Sequence, residues 1–216
     1  MKYQIQNLLE TYQSIKPQIE QRLAEFQNIW KKDSEFDLYK ELIFCQLTPQ
    51  SNAERCWMAV QQLEKRNLLF SNDTIKISEC LRGYTRFHHT KAKHIIENRE
   101  TLVKNNILCI RDQLNKVANP KNRRKWLVQN IKGMGYKEAS HYLRNIGFGE
   151  ELAILDRHIL KKLVEFEVID SIPSSLSKKM YLEIETLMEI FSQQIEIPLS
   201  HLDFVFWYIQ KKFIFK

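Results

Sequence analysis

Lys137 and Asp156 are the two residues of this chain best suited by type and spacing to do chemistry together. Lys137 stands two residues after a glycine-containing turn at residues 133–135, and Asp156 stands nineteen residues further along the chain. An unprotonated lysine amine is a nucleophile, and a carboxylate held at a fixed point stabilises developing positive charge. The alternatives are a solvated or phosphate-contacting lysine and an aspartate that only caps a helix.

The turn itself predicts an anion-binding site. Asn119-Pro120 is typical of a helix start, and Gly133 and Gly135 flank the apolar Met134 before a second amphipathic helix begins. Two glycines allow a tight hairpin whose amides point outward at a helix N-terminus, where a phosphate can bind. We expect Met134 to fill the joint between the helices. This helix-hairpin-helix pattern is typical of proteins that bind DNA without sequence specificity, and an ordinary glycine turn is the alternative.

Basic charge surrounds this hairpin. The whole chain carries a formal net charge of +7. The basic residues next to the turn are Lys121, Arg123, Arg124, Lys125 and Lys132. Positive charge beside a phosphate-sized turn favours the backbone of a nucleic acid as the ligand. Gly133, Met134, Gly135 and Lys132 are therefore candidate DNA-binding residues.

Hydrophobic periodicity and a low glycine and proline content predict a nearly all-α protein. The predicted helices are 3–30, with a break allowed at Pro17, 34–47, 52–66, 74–82, 90–106, 109–118, 120–131, 136–146, 157–167, 177–194 and 199–212. Ser51 and Glu54 predict a capping box at the third helix, and Asp156 is the predicted N-cap of the helix at 157–167.

The composition also excludes several classes of protein. No run is apolar and long enough to span a membrane, and the N-terminus lacks a signal-peptide pattern, so we expect a cytoplasmic protein. The cysteines lack the short spacing of metal ligands, which favours buried free thiols and no bound metal. They are Cys45, Cys56, Cys80 and Cys109.

The spacing of hairpin, lysine and aspartate resembles the signature of the helix-hairpin-helix DNA glycosylases. The closer likeness is to the compact 8-oxoguanine DNA glycosylase family of archaea and some bacteria. The segments that carry it are 47–51, Arg86-Phe87, Lys91-Ala92, 133–147, 154–159 and the ending from Trp207-Tyr208 to Lys216. Endonuclease III and its near relatives carry a four-cysteine cluster near the C-terminus. Nothing after Cys109 supplies one here, so we expect no iron–sulfur cluster.

The resemblance implies an all-α fold of two helical lobes with the active-site cleft between them. Residues 32–148 would form a central helical bundle ending in the helix-hairpin-helix, and 1–31 plus 149–216 a second lobe. It implies a bifunctional glycosylase and AP lyase of base excision repair, in which Lys137 attacks C1′ of a flipped nucleotide and Asp156 stabilises the sugar. A Schiff base and β-elimination would follow. A monovalent cation at the hairpin carbonyls is compatible with the likeness.

The same resemblance implies roles for residues outside the motif. Gln50 would fill the gap left by the flipped base, and His158 would contact the DNA backbone. Phe87 and Trp207 would border the base pocket, with Asp203 near the purine's N–H edge. The alternatives are an ordinary loop glutamine, a surface histidine, a packed aspartate and a core aromatic stripe formed by Phe204, Trp207 and Tyr208 at helical spacing.

The last residue is a candidate for reading the lesion. 8-Oxoguanine carries a hydrogen on N7 where guanine has a lone pair, so a carboxylate aimed at N7 gains a charge-assisted hydrogen bond from the damaged base alone. The α-carboxylate of Lys216 is such an acceptor, and a frayed tail is the alternative.

Two other functions stay open at this point. One is a helix-hairpin-helix glycosylase for other oxidised bases, and the other is a DNA-binding module without enzymatic activity. The expected partner is double-stranded DNA containing 8-oxoguanine, bound by a monomer in the nucleoid of a prokaryote.

Overall fold

The computed structural model describes residues 2–216 and confirms an all-α fold. Within these residues the helices are α1 (Lys2–Lys31), α2 (Glu35–Leu47), α3 (Ala53–Lys65), α4 (Thr74–Leu81), α5 (His88–Leu102), α6 (Ile110–Asn115), α7 (Pro120–Asn130), α8 (Tyr136–Asn145), α9 (Arg157–Glu165), α10 (Lys178–Gln194) and α11 (Leu199–Lys211). The strands β1 (Val103–Lys104) and β2 (Ile107–Leu108) pair antiparallel. In this part of the chain no helix is both long and apolar enough to cross a membrane.

The chain divides into two compact units. One contains the residues up to Asn28 together with Leu143–Lys216, and we call it the terminal unit. The other, which we call the central unit, is Ile29–Tyr142. The predicted lobe boundaries, at 31/32 and 148/149, lie a few residues beyond these. Lys137 belongs to the central unit and Asp156 to the terminal unit.

The terminal unit packs α1 and α9–α11 around an apolar core. The buried positions of α1 are Leu8, Tyr12, Ile15, Ile19 and Phe26, which follow helical spacing. Pro17 lies inside α1 without ending it, because the buried residues on either side of it hold the helix by packing. The predicted break is therefore absent.

Gly147 shows why a glycine is needed after α8. Its φ is +89°, and a Cβ there would come within 2.9 Å of the Gln27 backbone. The helix ends at Asn145, just before this glycine, and α1 passes close to the turn.

The central unit contains the clearest error of the sequence-based helix assignment. The helix predicted over 90–106 begins at His88 and ends at Leu102, and a short hairpin follows. Asn105 and Asn106 both have positive φ, 52° and 63°. Asparagine tolerates this left-handed conformation, so the pair forms the turn of the hairpin without a glycine.

The predicted capping box at α3 is also wrong. The N-cap is Asn52, whose side chain accepts a hydrogen bond from the Arg55 N–H at 2.9 Å. The Ser51 hydroxyl instead accepts from the Arg86 N–H at 2.9 Å, across to another loop. Ser51 therefore joins two segments and does not start the helix.

Candidate active site and DNA-binding hairpin

The turn between α7 and α8 has the geometry that its glycines predict. Gly133 has φ +75°, and a Cβ there would lie 2.6 Å from Nδ1 of His94. Met134 is only 5% exposed, so it fills the joint between the helices as expected. Gly133 and Gly135 are both exposed. The backbone of the turn therefore faces solvent while its one apolar side chain faces the core.

Two amide side chains hold the backbone at the start of this turn. Asn98 donates to the Lys132 carbonyl at 2.9 Å and accepts from the Lys132 N–H at 2.7 Å. Gln46 donates to the same carbonyl at 3.2 Å. The Lys132 side chain remains 63% exposed, with its ammonium 3.3 Å from Glu97. The backbone is thus fixed, and the charge is presented to solvent.

One amide of the hairpin already has an anionic partner. The Gly135 N–H donates to Oε2 of Glu138 at 3.2 Å. The other oxygen of Glu138 lies 3.6 Å from Nζ of Lys137. Since a carboxylate occupies the Gly135 amide in this structure, a phosphate at that amide would have to displace it.

The basic residues before the turn do not form one continuous exposed surface. Arg124 is 1% exposed, and its guanidinium donates to the Ser140 hydroxyl at 3.1 Å. Arg123 donates from Nε to the Leu114 carbonyl at 3.0 Å. Lys121 and Lys125 are exposed. The exposed charge beside the hairpin therefore comes from lysines, and the two arginines bind the helices to one another.

Lys137 lies in the first turn of α8 with its amine against a single neutral oxygen of another element. Nζ donates to the Thr48 hydroxyl at 3.2 Å, and the side chain is 21% exposed. Thr48 is buried and donates its own proton to the Cys45 carbonyl at 2.8 Å. Its oxygen therefore presents a lone pair to the amine, which orients Lys137 without neutralising it.

Asp156 is the N-cap of α9, as predicted. Its Oδ1 accepts from the N–H groups of His158 and Ile159 at 2.8 and 2.9 Å. Both cap bonds use one oxygen, which leaves Oδ2 outside them. Asp156 is half-buried, so its carboxylate combines a rigid position with one oxygen available for a ligand.

The extended segment before Asp156 is anchored to α10. The Tyr181 hydroxyl donates to the Ala153 carbonyl at 2.7 Å and accepts from the Leu155 N–H at 3.3 Å. Glu185 accepts from the Ala153 N–H at 2.8 Å. These buried bonds give the carboxylate a fixed platform, and nothing in the linear spacing of the residues predicted them.

His158 and Trp207 lie edge to face in the terminal unit, with ring centroids 6.0 Å apart. Nδ1 of His158 and Nε1 of Trp207 are buried, and neither has a hydrogen-bond partner among residues 2–216. Phe204, one turn before Trp207, is a core residue at 2% exposure. The aromatic stripe therefore serves the core at Phe204, and Trp207 lies half-buried at its edge.

The C-terminal tail folds back onto Trp207. Lys212 ends α11 with φ +62°, and the Phe213 ring meets Trp207 edge-on at 6.4 Å. Phe215 in turn contacts Phe213 at 6.5 Å, and Lys216 is half-buried. The last residues are thus packed beside the predicted pocket aromatic.

Asp203 is buried in an ion pair that the sequence did not reveal. It bonds to the guanidinium of Arg144, which lies 4.4 Å from the Phe204 ring centroid. Burial raises the pKa of Asp203, and the neighbouring Arg144 opposes that effect. The carboxylate therefore has a protein partner already, and its predicted contact with a purine stays a prediction.

Gln50 and Phe87 stand on two loops of the central unit. Both are exposed, Phe87 to 56%, and both have a left-handed backbone, with φ +54° and +56°. The Arg86 guanidinium lies 5.5 Å from the Phe87 ring centroid. Each loop thus presents one side chain to solvent from a conformation that is unusual for a residue with a Cβ.

The cysteines are placed as small apolar residues. Cys45, Cys56 and Cys80 are buried and Cys109 is half-buried, and burial raises the pKa of the Cys56 and Cys80 thiols. Across the described chain, no three or more histidine, cysteine or acidic side chains come together in a way that would hold a metal ion.

The sequence of this chain is similar to those of known proteins. The model of the family described as 8-oxoguanine DNA glycosylase matches residues 19–197. The 8-oxoguanine DNA glycosylase/AP lyase of Fusobacterium nucleatum is 43% identical over 205 residues, which cover 95% of this chain and 94% of that protein. The protein of the same name from Methanocaldococcus jannaschii is 38% identical over 91% of this chain and 90% of its own length.

Solved structures show the same likeness. The crystal structure of Methanocaldococcus jannaschii 8-oxoguanine DNA glycosylase has a TM-score of 0.88 at 34% identity, covering 100% of this chain and 97% of that one. A second structure, of the Methanocaldococcus jannaschii 8-oxoguanine glycosylase/lyase with a 15mer DNA containing 8-oxoguanine, also has a TM-score of 0.88 at 34% identity. It covers 99% of this chain and 100% of the other.

Proposed function

Because this chain belongs to the 8-oxoguanine DNA glycosylase family, we propose that it removes 8-oxoguanine from double-stranded DNA and then cleaves the strand as an AP lyase. The observation that carries the proposal is the placement of Lys137. Its amine is presented just after an exposed glycine hairpin, where the Thr48 hydroxyl of another element orients it and Glu138 of its own helix lies 3.6 Å away. A lysine used only for phosphate contact needs no such partner.

The chemistry follows from that amine. A base stacked in a duplex is out of reach, so the nucleotide must rotate out of the helix at a cost of a few kcal/mol. The Lys137 nitrogen then attacks C1′, the bond from C1′ to the base breaks, and the base leaves with the bonding electrons and takes up a proton. Opening of the sugar gives a Schiff base between Nζ and C1′. Loss of a C2′ proton expels the 3′ phosphate and cuts the strand.

Asp156 supplies the negative charge for this step. Positive charge develops on the sugar as the base leaves, and a carboxylate fixed at a helix N-cap stabilises it without reorganising. The cap bonds use Oδ1, so Oδ2 is the oxygen we assign to the sugar.

DNA binding is assigned to the hairpin and to residues beside it. The exposed turn at 133–135 and the Lys132 ammonium would contact phosphate, and His158 would contact the backbone near Asp156. Gln50 would fill the gap in the duplex, because it is exposed on its loop. We propose that one copy of the chain binds the duplex, in the nucleoid of a prokaryotic cell.

A monovalent cation at the hairpin remains a proposal with one restriction. The Lys132 carbonyl accepts hydrogen bonds from both Gln46 and Asn98, so it is not a free ligand. Any cation would have to be held by the other carbonyls of the turn, and no step of the reaction depends on it.

We propose that Phe87, Trp207 and the end of the chain each contact the flipped base. Aromatic faces suit a flipped purine, since stacking contributes about 1–3 kcal/mol per base. The tail that carries the Lys216 carboxylate packs through Phe213 against Trp207, which supports the proposal that this carboxylate reads the N7 hydrogen. Asp203 is the weaker candidate for a base contact because Arg144 already binds it.

The test is base release from matched duplexes that carry 8-oxoguanine, guanine or an oxidised pyrimidine at one position. We expect release and strand cleavage with 8-oxoguanine, and neither with guanine. Adding one residue after Lys216 should reduce the preference for 8-oxoguanine over guanine by about 10- to 100-fold, the value of one charge-assisted hydrogen bond. Greater activity on the pyrimidine would assign the chain to another substrate, and unchanged discrimination in the extended chain would remove Lys216 from the pocket.

A further inference from the structure

A buried lysine lies beneath the two loops that present Gln50 and Phe87. We propose that Lys91 is a positioning residue, whose ammonium fixes both loops in the conformation that engages the damaged nucleotide. The inference rests on the proposed function, because Gln50 and Phe87 matter only if the chain flips a base.

The contacts of Lys91 define its role. The side chain rises from α5 and the residue is 6% exposed. Its Nζ lies within hydrogen-bond distance of four oxygens: Leu47 O at 2.7 Å, Pro49 O at 2.9 Å, Ser51 Oγ at 3.2 Å and Thr85 Oγ1 at 2.6 Å. Two of them belong to the loop around Gln50, one to Leu47 at the end of α2 where this loop begins, and the fourth stands two residues before Phe87.

The two loops are also bonded to each other around this ammonium. The Ser51 and Thr85 hydroxyls lie 2.9 Å apart, and Thr85 donates to the Leu47 carbonyl at 2.9 Å. The Arg86 N–H donates to the Ser51 hydroxyl at 2.9 Å. One charged group and two hydroxyls therefore determine where both loops run.

The backbone at both exposed side chains needs such a determinant. Gln50 and Phe87 have φ +54° and +56°, a conformation that costs an L-residue about 1–2 kcal/mol. A loop free to relax would leave this region and move its side chain. The Lys91 ammonium bonds residues on both sides of Gln50, and it bonds Thr85 two residues before Phe87, so these bonds oppose that relaxation.

Stability alone does not account for an ammonium in this place. Burial lowers the pKa of Lys91 to about 8, with the charge of Lys137 acting in the same direction and Cys56 and Glu138 in the opposite one. Burying a charge is unfavourable unless its partners compensate, and an apolar side chain of similar size often folds as well. What an apolar residue cannot supply is the set of bonds to both loops.

The hydroxyl that orients the nucleophile has a bond of its own that does not involve Lys91. Thr48, the oxygen next to the Lys137 amine, is held by its own bond to the Cys45 carbonyl at the end of α2. No hydrogen bond joins Lys91 to Thr48 in the described chain. Removing the Lys91 ammonium should therefore disturb lesion engagement and leave the amine in place.

The experiment compares two substrates in single-turnover reactions of Lys91→Met. One duplex carries 8-oxoguanine and the other a preformed abasic site, which has no base to unstack or to hold. We expect base release to slow by about 10- to 100-fold, because a misplacement of about 1 Å can lower a rate by as much as about 100-fold. Cleavage at the abasic site should stay close to wild type. A 2-aminopurine beside the lesion should show less unstacking in the variant.

Lys93→Met is the matched control, because it removes the same charge from an exposed position of the same helix. In Lys93→Met, the rate of base release relative to the rate of abasic-site cleavage should equal that of wild type. Ser51→Ala is the second variant, to be used if Lys91→Met does not fold. It removes the Ser51 bonds to Thr85, to the Arg86 N–H and to the ammonium, but leaves the ammonium bonded to two carbonyls and to Thr85. It should therefore lower base release relative to abasic-site cleavage, by less than Lys91→Met does.

Two results would overturn the inference. One is base release by Lys91→Met or Ser51→Ala at the wild-type rate. The other is an equal fall on both substrates, which indicates general structural damage. If wild type releases no base at all, the proposed function fails, and that failure is seen before any variant is compared.

Discussion

Each of the two units pairs a partly exposed charged group with a buried one of the same kind. In the central unit, the Lys137 amine has one neutral oxygen of another element, whereas Lys91 lies among four. In the terminal unit, Asp156 is half-buried and Asp203 is only 9% exposed, bound to Arg144. A group that must react needs an unsaturated set of partners, while a group that positions others has its bonding capacity filled. Within each unit, we therefore assign the group with few partners to the reaction and the group with many partners to holding the structure in place.

The largest effect is expected at the nucleophile. Lys137→Gln should lower base release by at least ~10³-fold, because no other residue replaces an attacking amine. The melting temperature should hardly change, since the side chain makes one bond to another element. The measurement is single-turnover base release with a thermal melt, and Lys93→Gln is the control at an exposed lysine of the same unit. If Lys137→Gln keeps its activity, Lys137 is not the reacting lysine of the central unit.

The next effect separates the charge of Asp156 from its cap. Asparagine caps a helix as well as aspartate does, so Asp156→Asn should keep its stability while base release falls by about 10²- to 10³-fold. Asp156→Ala should show the same kinetic loss and a further loss of about 1 kcal/mol in the free energy of unfolding. Rates near wild type in Asp156→Asn would show that the carboxylate only caps α9.

Asp203 should behave in the opposite way. Asp203→Asn leaves the buried Arg144 without its counter-charge, and breaking such a pair costs about 3–5 kcal/mol of stability. Urea unfolding should show this loss, while the rate per folded molecule should stay close to that of wild type. A stable variant with lost preference for 8-oxoguanine would instead place Asp203 in the base pocket.

The smallest effect is the pH dependence of stability caused by Lys91. The pKa of Lys91 is lowered to about 8 from 10.5, so between these values the unfolded chain binds more protons than the folded one. The unfolding free energy should therefore rise with pH over this window, by on the order of 1–3 kcal/mol, and the cost of the buried charge is fully present below it. Urea titrations of wild type against Lys91→Met from pH 7 to 10.5 isolate this contribution. A difference that does not vary with pH would contradict the burial of an ammonium there.

Local patterns were sufficient for most of the fold. Helical periodicity located α2, α4, α7 and α8 to within a residue or two, and the glycines of the hairpin required the turn that is seen. Asp156 is the cap that its place before an amphipathic segment predicts. These features depend on neighbours in sequence, which a linear pattern contains.

The remaining features depend on residues far apart in the chain. Ser51 had the sequence of a capping box, but its hydroxyl binds the Arg86 N–H thirty-five positions away. Lys91 and Arg144 are charged residues on helices, which are usually exposed. Only tertiary packing shows that Lys91 is buried among four oxygens and that Arg144 is buried against Asp203. A helix was predicted to continue to residue 106, but the chain turns at Asn105-Asn106 and forms a short hairpin. In these cases the outcome depends on which side chains are buried and which residues they contact. The spacing of residues along the chain predicts neither.

Borohydride trapping tests the central claim most directly. Wild type, Lys137→Gln and Lys91→Met are each incubated with a duplex carrying one 8-oxoguanine and then reduced, which converts a Schiff base into a stable covalent link. We predict a protein–DNA adduct for wild type, a slower adduct for Lys91→Met and none for Lys137→Gln. An adduct that persists in Lys137→Gln, or no adduct in wild type together with unbroken DNA, would contradict the assignment of Lys137 as the nucleophile.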